Sequence, residues 1–574
     1  MKFVTRRYAE ADRHRLVESG VHPLLARLFA ARRIGSKDQL EQDFSRLIPP
    51  AELTNAERAA RLLADAIGQQ KKLLIVADYD ADGATACAVG MRALGSFGAR
   101  VEYLVPNRME LGYGLSPELV DIAARLKPDL LITVDNGIAS VEGVAHAKSM
   151  GIGTLITDHH LPGDTLPDAE CIVNPNQPGC AFPSKALAGV GVMFYVMLAL
   201  RAELRNRKAF ENKTEPNLAA LTDLVALGTV ADVVPLDANN RILVAQGLKR
   251  MRAGQGKAGL AALARAGGRD MARANCFDLG FILGPRLNAA GRLADMGLGI
   301  ECLLTDDEAR AANCAQELDR LNRERRKIEG GMLDEANAAL DGLAEPPGET
   351  MTRSSLTLYK PGWHQGVVGL IASRVRERIH RPVVCFAKVN SGANSGELRG
   401  SGRSIPGFHL RDALDLVAKR MPGLLLRFGG HAQAAGLTIR ESDLGLFQDL
   451  FESTAAELLP EAARLRVVET DGELESAYHS LAVAQMLESQ IWGQGFPPPL
   501  FCDTFTVQDQ RVVGERHLKL RLLKDGQRLE AMRFNSLEPL PSRVRAAYRV
   551  SVNEFNGLKR PQLTIENVEP AAPR

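Results

Sequence analysis

The sequence predicts an α/β protein with a parallel sheet and, near its C-terminal end, a small β barrel. Short apolar runs typical of buried strands, such as residues 73–76 and 130–134, alternate with helical stretches. This alternation is typical of parallel strands joined by right-handed helical crossovers. Near the C-terminal end, residues 518–522 and 548–552 alternate apolar with polar side chains, which is the pattern of barrel or sandwich strands.

The composition is that of a globular protein with several domains. The 574 residues amount to 62.2 kDa, which predicts three or four domains at about 150 residues each. Apolar residues make up 45% and charged residues 24%, which supplies hydrophobic cores and excludes disordered and collagen-like chains. The net charge of +2 excludes a globally basic DNA-binding surface, so a polyanion would have to bind in a local cleft.

The sequence predicts a cytoplasmic protein that does not interact with membranes. The longest apolar run, residues 186–200, is too short to span a bilayer. No apolar stretch follows the charged residues near the first methionine, so no secretory signal is expected. The eight cysteines are scattered without a C-x-x-C spacing, which favours reduced thiols and argues against zinc ribbons and disulfide frameworks.

The chain begins with a predicted helical region, because residues 23–30 and 56–63 carry helix formers at helical spacing. The parallel sheet follows, and residues 153–157 are its third predicted strand. Between the strands lies a helix that begins after Ser116, where serine is the N-cap and Pro117 occupies the first turn.

The second half of the chain begins after a charged helical stretch, residues 306–340, which we interpret as a solvated helix between two domains. A second α/β unit has predicted strands at 355–358 and 383–386. The proline-rich segment 496–500 precedes the last region, which includes a strand at 562–565. The predicted regions are an N-terminal helical region 1–70, a sheet domain 71–240, a helical segment with the connecting helix 241–340, a second α/β domain 341–465 and a barrel 466–574.

Side chains that are able to bind a metal follow three of the predicted strands. Because the carboxyl ends of parallel strands meet at one edge of a sheet, these side chains are expected to share one crevice. The residues at these strand ends are Asp78, Asp80, Asp82, Asp135, Asp158, His159 and His160.

For one such aspartate alone, a helix N-cap is an equally good interpretation, and for the histidine pair the alternative is a surface loop. Three successive strand ends favour a common site instead. Uncompensated carboxylates would raise one another's pKa values, and a pair of divalent cations removes this repulsion. Mixed Asp and His ligands suit Mn²⁺ or Mg²⁺. Asp158 is expected to orient an imidazole ligand.

These residues lie in motifs that resemble those of the DHH phosphoesterases. Four motifs match the family in order: DYDADG at 78–83, DNG at 135–137, DHH at 158–160 and GTVADVVPL at 228–236. Within the family, the chain resembles the single-strand-specific 5′→3′ DNA exonucleases, because further motifs match along nearly the whole chain. These motifs are GPRLNAAGR at 284–292, GWHQGVVG at 362–369, GGHAQAAG at 429–436 and NEFNG at 553–557.

The resemblance implies an active site with two divalent ions, Mn²⁺ or Mg²⁺. Asp78 and Asp80 would each face one ion, and Asp135 would bridge the two. His160 would face the scissile phosphate, so His160 and Asp135 are the expected catalytic residues. Leu74 stands where pyrophosphatase relatives carry a histidine ligand, so the first ion is expected to be held more weakly or completed by water and substrate. The second site would be completed by His159 and Asp232, with Asp82 either as a ligand or as a partner of the ligands.

The resemblance also implies contacts with backbone phosphates, including the 5′-terminal one. An arginine grips a phosphate through two parallel N–H bonds, and the Gly429-Gly430-His431 segment is expected to lead into a helix whose N–H groups bind a phosphate. For each of these residues alone, the alternative is an ordinary turn or a surface charge. Tyr113 is expected either to stack on a base or to pack in the core. The expected contacts are Arg108, Arg286, Ser401, Arg403, Gly430 and His431.

The C-terminal barrel carries a modest excess of positive charge. Residues 500–574 contain 13 basic and 9 acidic side chains. The resemblance implies an OB fold, whose basic groove follows single strands of nucleic acid. A purely structural β domain is the alternative.

The predicted function is a metal-dependent exonuclease that degrades single-stranded DNA 5′→3′ to 5′-mononucleotides by metal-activated water, in DNA repair and recombination. A phosphodiesterase acting on short oligonucleotides or cyclic dinucleotides is disfavoured, because a small substrate needs no long binding track. A non-catalytic DNA-binding scaffold is disfavoured, because all four ligand motifs are intact. A G-x-x-x-x-G-K-[ST] motif is absent, which disfavours an ATP-driven motor. The expected partners are single-stranded DNA, a single-strand-binding protein and a helicase.

Overall fold

The chain opens with a short strand followed by helices. The computed structural model describes residues 1–107, 112–342, 353–389 and 396–571. Strand β1 (Lys2–Thr5) was not predicted, because its partner strand lies near the other end of the chain. The two predicted helices are confirmed. The helices of this region are Glu10–Glu18, Pro23–Ala30 and Ala56–Gly68.

The predicted parallel sheet is confirmed. Its strands are β2 (Lys72–Ala77), β3 (Arg100–Leu104), β4 (Leu130–Val134), β5 (Gly153–Thr157) and β6 (Cys171–Val173). Their order is β3-β2-β4-β5-β6, and each neighbouring pair is parallel. Sequence patterns missed β3 and β6, because β3 carries exposed charges and β6 has only three residues. The helices between these strands are Ala81–Ser96, Pro117–Ala124 and Val141–Ser149.

A layer of helices follows the sheet. The apolar run at 186–200 belongs to the helix Gly189–Asn206, which packs against the helices Ala56–Gly68 and Ala81–Ser96. Its apolar side chains therefore fill the protein core. None of the described helices combines the length and apolarity needed to cross a bilayer. The helices that follow in this layer are Thr222–Ala231, Ala238–Arg252, Ala258–Ala266, Gly284–Leu293 and Gly297–Leu304.

The predicted connecting helix is confirmed as Glu308–Asp341. Ala311 and Leu318, in its first half, belong to the large core that contains the parallel sheet. Met332 and Ala336, in its second half, belong to a core of the second α/β unit. The helix is therefore packed on both units, and only its outer face is solvated.

The second α/β unit contains β7 (Leu356–Tyr359), β8 (Val383–Lys388), β9 (Glu397–Arg403), β10 (Arg427–Gly430) and β11 (Ala434–Arg440). The order is β10-β11-β9-β8-β7, and β7–β8 is the parallel pair while the other pairs are antiparallel. Separate hydrophobic cores contain side chains from its sheet. Its helices are Val368–Ile379, Leu410–Arg420, Leu444–Leu458 and Glu461–Arg464.

The predicted C-terminal barrel is confirmed as a closed five-stranded barrel. Its strands are β13 (Phe501–Val513), β14 (His517–Lys524), β15 (Gln527–Arg533), β16 (Arg543–Phe555) and β17 (Leu558–Pro570). Their order is β13-β14-β15-β17-β16. The large side chains of Phe501, Phe505 and Tyr548 are fully buried. Before the barrel, β12 (Val467–Thr470) pairs with β1, and the helix Leu481–Glu488 packs on β16.

Candidate active site

The carboxyl ends of the parallel strands bring the predicted ligands together. Asp78 follows β2 and Asp135 follows β4, and both side chains are buried. Asp232 comes from the C-terminal end of the helix Thr222–Ala231, which packs against the helix Ala81–Ser96. The donor atoms form three overlapping sets, within each of which all atoms lie within 4.8 Å of one another. The first set comprises Asp78, Asp80 and Asp135, and the second comprises Asp82, His159 and Asp232. The third comprises Asp135, His159 and His160, so it shares residues with both of the others.

Residues 78–83 make a tight turn from β2 into the helix Ala81–Ser96. Oδ1 of Asp80 accepts hydrogen bonds from the backbone N–H groups of Asp82 and Gly83, both at 2.9 Å. A Cβ atom at Gly83 would lie 2.6 Å from the carbonyl oxygen of Asp78, so this close approach requires glycine. Asp80 is therefore an N-cap and also a candidate ligand. It shares a donor set with Asp78, whereas the resemblance places the two on different ions.

Asp82 is held by the start of the helix Gly189–Asn206. Its Oδ2 accepts a hydrogen bond from Gly189 N–H at 2.6 Å, and its Oδ1 accepts one from Val190 N–H at 2.9 Å. Burial and the charge of Asp80 outweigh these bonds and raise the pKa of Asp82 to about 7. Oδ2 also lies 3.9 Å from Nε2 of His159. Asp82 is thus anchored by backbone N–H groups and belongs to the second donor set.

Asp135 and His159 meet at the centre of the site. The backbone of Asp135 has a φ of 62°, in the left-handed region, and its Oδ1 lies 3.1 Å from Nε2 of His159. Burial, followed by the charges of neighbouring carboxylates, raises the pKa of Asp135 and of Asp232 well above the ordinary value. Burial and the nearby His160 lower the pKa of His159 to about 4, which favours the neutral imidazole that binds metals.

These residues fit a divalent cation. Oδ1 of Asp135 and Nε2 of His159 are buried, and neither makes a hydrogen bond within the described ranges. Burying such atoms without a partner is costly, and a cation between them would satisfy both. A donor set of carboxylate oxygens with one imidazole nitrogen suits Mn²⁺ or Mg²⁺. The site therefore has the residues, the burial and the unpartnered atoms that a metal centre requires.

His160 points to a different partner from His159. Its Nδ1 lies 2.8 Å from Oδ1 of Asp158 and 3.0 Å from the hydroxyl of Tyr113, which also donates to the Asp135 carbonyl oxygen at 3.1 Å. Burial alone would lower the pKa of His160, but the contact with Asp158 and the surrounding carboxylate charges raise it to about 9. We expected Asp158 to orient a ligand imidazole. It instead contacts the ring of His160, while His159 is held by the Leu187 backbone.

The second α/β unit presents Ser401 and Arg403 side by side. Nη1 of Arg403 donates to Oγ of Ser401 at 3.0 Å. A Cβ atom at Gly369 would lie 2.8 Å from Oγ of Ser401 and 3.0 Å from Nη2 of Arg403. Both side chains therefore lie against the first turn of the helix Val368–Ile379, where backbone N–H groups and the helix dipole favour an anion.

The segment that carries Gly430 and His431 is a β-hairpin between β10 and β11, so the expected helix after it was wrong. Gly430 has a φ of 140°, and a Cβ atom there would lie 2.4 Å from the carbonyl oxygen of Ala434, which leaves no room for a side chain. Burial and then the charge of His160 lower the pKa of His431. The charge of His160 in the metal centre therefore acts on the imidazole at the tip of this hairpin.

The predicted phosphate contact of Arg286 is not supported. Its side chain is 8% exposed, with Nη2 at 2.8 Å from Asp319 of the connecting helix. Nη1 donates to the Ile282 carbonyl oxygen at 2.7 Å, so the guanidinium fastens two helices. Arg292 instead spans the cleft, because its Nη1 donates to the Gly366 carbonyl oxygen at 3.0 Å. Arg108 lies outside the described residues.

Comparison with known families decides the assignment. Residues 72–229 match the DHH family, N-terminal domain, residues 353–457 match the DHHA1 domain and residues 470–567 match the RecJ OB domain. A protein of Salmonella typhimurium, named single-stranded-DNA-specific exonuclease RecJ, is 49% identical over 577 residues, which cover 98% of this chain and 99% of the relative. The chain belongs to the RecJ family.

Solved structures of this family have the same fold. RecJ from Thermus thermophilus in complex with Mn²⁺ matches with a TM-score of 0.82 and 30% identity, covering 100% of this chain and 80% of that chain. The complex of the same protein with Mg²⁺ matches with a TM-score of 0.76 and 29% identity, covering 100% and 78%. These structures confirm the predicted combination of a DHH domain, a DHHA1 domain and an OB barrel.

Sequence reasoning missed Gly189, although this residue shapes the site. A Cβ atom there would lie 2.6 Å from Oδ1 of Asp135, and its N–H anchors Asp82. The available signal is the G-V-G spacing at 189–191, within the apolar run that the sequence analysis considered only as too short to span a bilayer. The hydrogen bonds of Tyr113 were missed as well, since neither base stacking nor core packing describes a hydroxyl that contacts His160.

Proposed function

We propose that this chain is a metal-dependent exonuclease that degrades single-stranded DNA from the 5′ end and releases 5′-mononucleotides, in DNA repair and recombination. The observation that carries the proposal is the pair of donor sets, which meet at the 3.1 Å contact between Asp135 and His159 in a member of the RecJ family. Each set offers three ligand atoms, which supports two ions in one site. The ions would be Mn²⁺ or Mg²⁺, as in the structures of the relative.

The ligand assignment follows the two sets. Asp78, Asp80 and Asp135 would hold one ion, and Asp82, His159 and Asp232 would hold the other, with Asp135 between them. When bound, such a pair supplies a water of lowered pKa and neutralises charge on the reacting phosphate. The backbone bonds to Asp80 and Asp82 fix these carboxylates before the substrate arrives, so little reorganisation is needed during the reaction.

The protein's own side chains would bind and orient the phosphodiester. The contact with Asp158 raises the pKa of His160, and this favours the charged imidazole, whose Nε2–H would donate to a phosphate oxygen. Charge develops on those oxygens during phosphoryl transfer, so a fixed donor there stabilises the transition state. Tyr113 restricts the His160 ring through its hydroxyl. In this proposal His160 contacts the substrate, whereas Asp158 and Tyr113 are positioning residues.

The 5′ polarity follows from the anion pocket across the cleft. Ser401, Arg403 and the first turn of the helix Val368–Ile379 form a compact donor cluster suited to a terminal phosphate with its extra charge. Arg292 donates to the Gly366 carbonyl oxygen just before this helix, and the charge of His160 acts on His431, which supports one cleft shared by this pocket and the metal centre. A strand whose 5′ phosphate occupies the pocket would present its first phosphodiester bond to the ligands. A single-strand-binding protein and a helicase are the proposed partners, and the cytoplasm is the proposed location.

The test uses oligonucleotides with one sequence in four forms: single-stranded or duplex, each with a 5′ phosphate or a 5′ hydroxyl. With Mn²⁺, the 3′-labelled single strand bearing a 5′ phosphate should shorten from its 5′ end and release mononucleotides. Asp135→Asn should remove the activity, whereas Asp121→Asn, at a surface aspartate that pairs with His146, should retain it. Release of products from the 3′ end, or equal cleavage of the duplex, would contradict the proposal.

A further inference from the structure

Two aromatic side chains form an exposed stacked pair outside the metal centre. The ring centroids of Phe277 and Phe281 are 4.9 Å apart, and the interplanar angle is 23°. The two residues are 53% and 64% exposed. Neither belongs to a hydrophobic core cluster of the residues that the structure describes. The pair therefore contributes little to the core, and its exposure calls for another explanation.

The backbone under the pair is unusual. Phe277 directly precedes a π-helical turn, Asp278–Leu283, and Phe281 lies within it. Such turns are rare in proteins, and those that do occur are often found at functional sites. Here the turn sets the spacing of the two rings so that they stack in parallel at the surface.

On one side, this segment packs against the residues that precede the ligand Asp232. A Cβ atom at Gly280 would lie 3.3 Å from Cγ1 of Val230, and one at Gly284 would lie 3.1 Å from Cβ of Ala231. Val230 and Ala231 immediately precede Asp232, a member of the second donor set, so the π-helical segment packs next to the metal centre.

On the other side, the segment reaches the barrel. Arg273 Nη1 lies 2.5 Å from Oε2 of Glu554, at the end of β16. The next residue, Phe555, is 72% exposed. The stacked pair thus lies on the surface between the metal centre and the turn that joins β16 to β17.

The chemistry around the pair favours a nucleic acid. The guanidinium of Arg269 lies 5.8 Å from the Phe277 ring centroid, with Asp278 beside it at 3.2 Å. Arg273 is also well exposed. Flat aromatic faces next to cations are what single-strand-binding surfaces use, because every base has a face that stacks and every phosphate is an anion. Two rings alone make a small apolar patch, whereas protein-docking sites present wider apolar surfaces.

We propose that Phe277 and Phe281 form a stacking platform for bases of single-stranded DNA on the path between the barrel and the metal centre. The inference rests on the proposed function, since it assigns further binding residues for the same substrate. The platform would hold bases downstream of the scissile bond, and would act through affinity for long strands rather than through the hydrolytic step.

The experiment uses the full chain and two double variants. Phe277→Leu with Phe281→Leu keeps the apolar surface but removes the flat ring faces, and Phe277→Tyr with Phe281→Tyr keeps the rings. Binding is measured without divalent metal on two labelled strands of equal length, one with bases throughout and one abasic beyond its first nucleotides. Turnover is measured on a 5′-phosphorylated dinucleotide, which carries a single base downstream of the scissile bond and therefore cannot occupy both rings of the platform.

The leucine variant is expected to bind the strand with bases about tenfold more weakly, as the loss of base stacking predicts, and to bind the abasic strand as the wild type does. The tyrosine variant should bind both strands as the wild type does, and dinucleotide turnover should be unchanged in both variants. Unchanged binding of the base-containing strand, or equal weakening on both strands, would overturn the platform. If the wild-type protein itself neither binds nor hydrolyses single strands, the proposed function fails instead.

Discussion

Nδ1 of His160 lies 2.8 Å from Oδ1 of Asp158, while the adjacent imidazole of His159 is turned toward Asp135. The centroids of the two imidazole rings are only 4.5 Å apart. Burial lowers the pKa of His159 to about 4, whereas the contact with Asp158 overcomes the effect of burial and raises the pKa of His160 to about 9. The surroundings therefore favour the neutral form of one imidazole and the charged form of its neighbour, which suits one as a metal ligand and the other as a donor to phosphate.

Asp158→Asn is expected to reduce turnover by about a hundredfold, the usual effect of removing a positioned donor to transition-state charge. The neutral amide no longer favours the charged form of the His160 ring, and the metal donor sets do not include Asp158. Metal content, measured by elemental analysis, should stay at the wild-type level. His159→Ala, by contrast, should lose bound metal. If Asp158→Asn loses metal and His159→Ala retains it, the two roles are assigned wrongly.

Asp135→Ala is expected to abolish nearly all turnover while the protein remains folded. The carboxylate belongs to the first donor set and also lies 3.1 Å from the His159 ligand atom, so its removal disturbs both ions. Circular dichroism should confirm the fold, and single-turnover assays with Mn²⁺ should measure the rate. A rate within about tenfold of wild type, a loss of only ~1.4 kcal/mol, would show that Asp135 is not a shared ligand.

Gly189→Ala is expected to lower metal content and turnover together. The added methyl group would lie 2.6 Å from both Cβ and Oδ1 of Asp135, so the carboxylate or the helix start must move. Such overpacking in a tight core costs about 1–3 kcal/mol. Gly191→Ala is the matched control in the same helix, because its nearest contact is the flexible end of Leu187 at 3.1 Å. Wild-type metal content in the Gly189 variant would show that the site accommodates the methyl group.

Much of the site was predictable because strand ends are readable in the sequence. Apolar runs followed by Asp78, Asp135 and Asp158 placed polar residues at one edge of a parallel sheet, and the structure shows this convergence. Which carboxylates share a set was not predictable, since it depends on the turn that Gly83 permits. Likewise, nothing near Asp82 in the sequence indicates that its partners are the N–H groups of Gly189 and Val190.

Strands were predictable where a local run of apolar residues marks them, and not where a strand is defined only by pairing with a distant part of the chain. The strands β2, β4 and β5 are short apolar runs that the sequence displays directly. β1 and β12 pair across nearly the whole chain, and neither has a pattern that distinguishes it from a loop. The hairpin β10–β11 was interpreted as a turn before a helix, because its glycines conceal the strand pattern. The exact boundaries between domains stay predictions.

Arg32→Met is expected to destabilise the whole protein by about 3–5 kcal/mol, since it leaves a buried carboxylate without its main partner. The guanidinium binds Asp471 through two hydrogen bonds, at 2.8 and 3.0 Å, and both side chains are almost fully buried. This pair fastens the N-terminal helices to the segment before the barrel, where Phe29 also packs against Trp492. Denaturant unfolding measures the effect.

The control for this prediction is Arg207→Met, which breaks an exposed ion pair with Asp65 at 2.6 Å and should change stability little. Equal unfolding free energies for the two variants would contradict a stabilising role for the Arg32–Asp471 ion pair.

The Arg32–Asp471 ion pair also determines which variants can be used to measure the contribution of the barrel to DNA binding. Deleting residues 470–574 would remove Asp471 and expose Phe29, so a loss of binding would reflect unfolding as well as the missing groove. Point substitutions on the barrel surface leave the Arg32–Asp471 ion pair intact. Any change in the affinity of these variants for single-stranded DNA, or in its salt dependence, then reports on contacts with DNA.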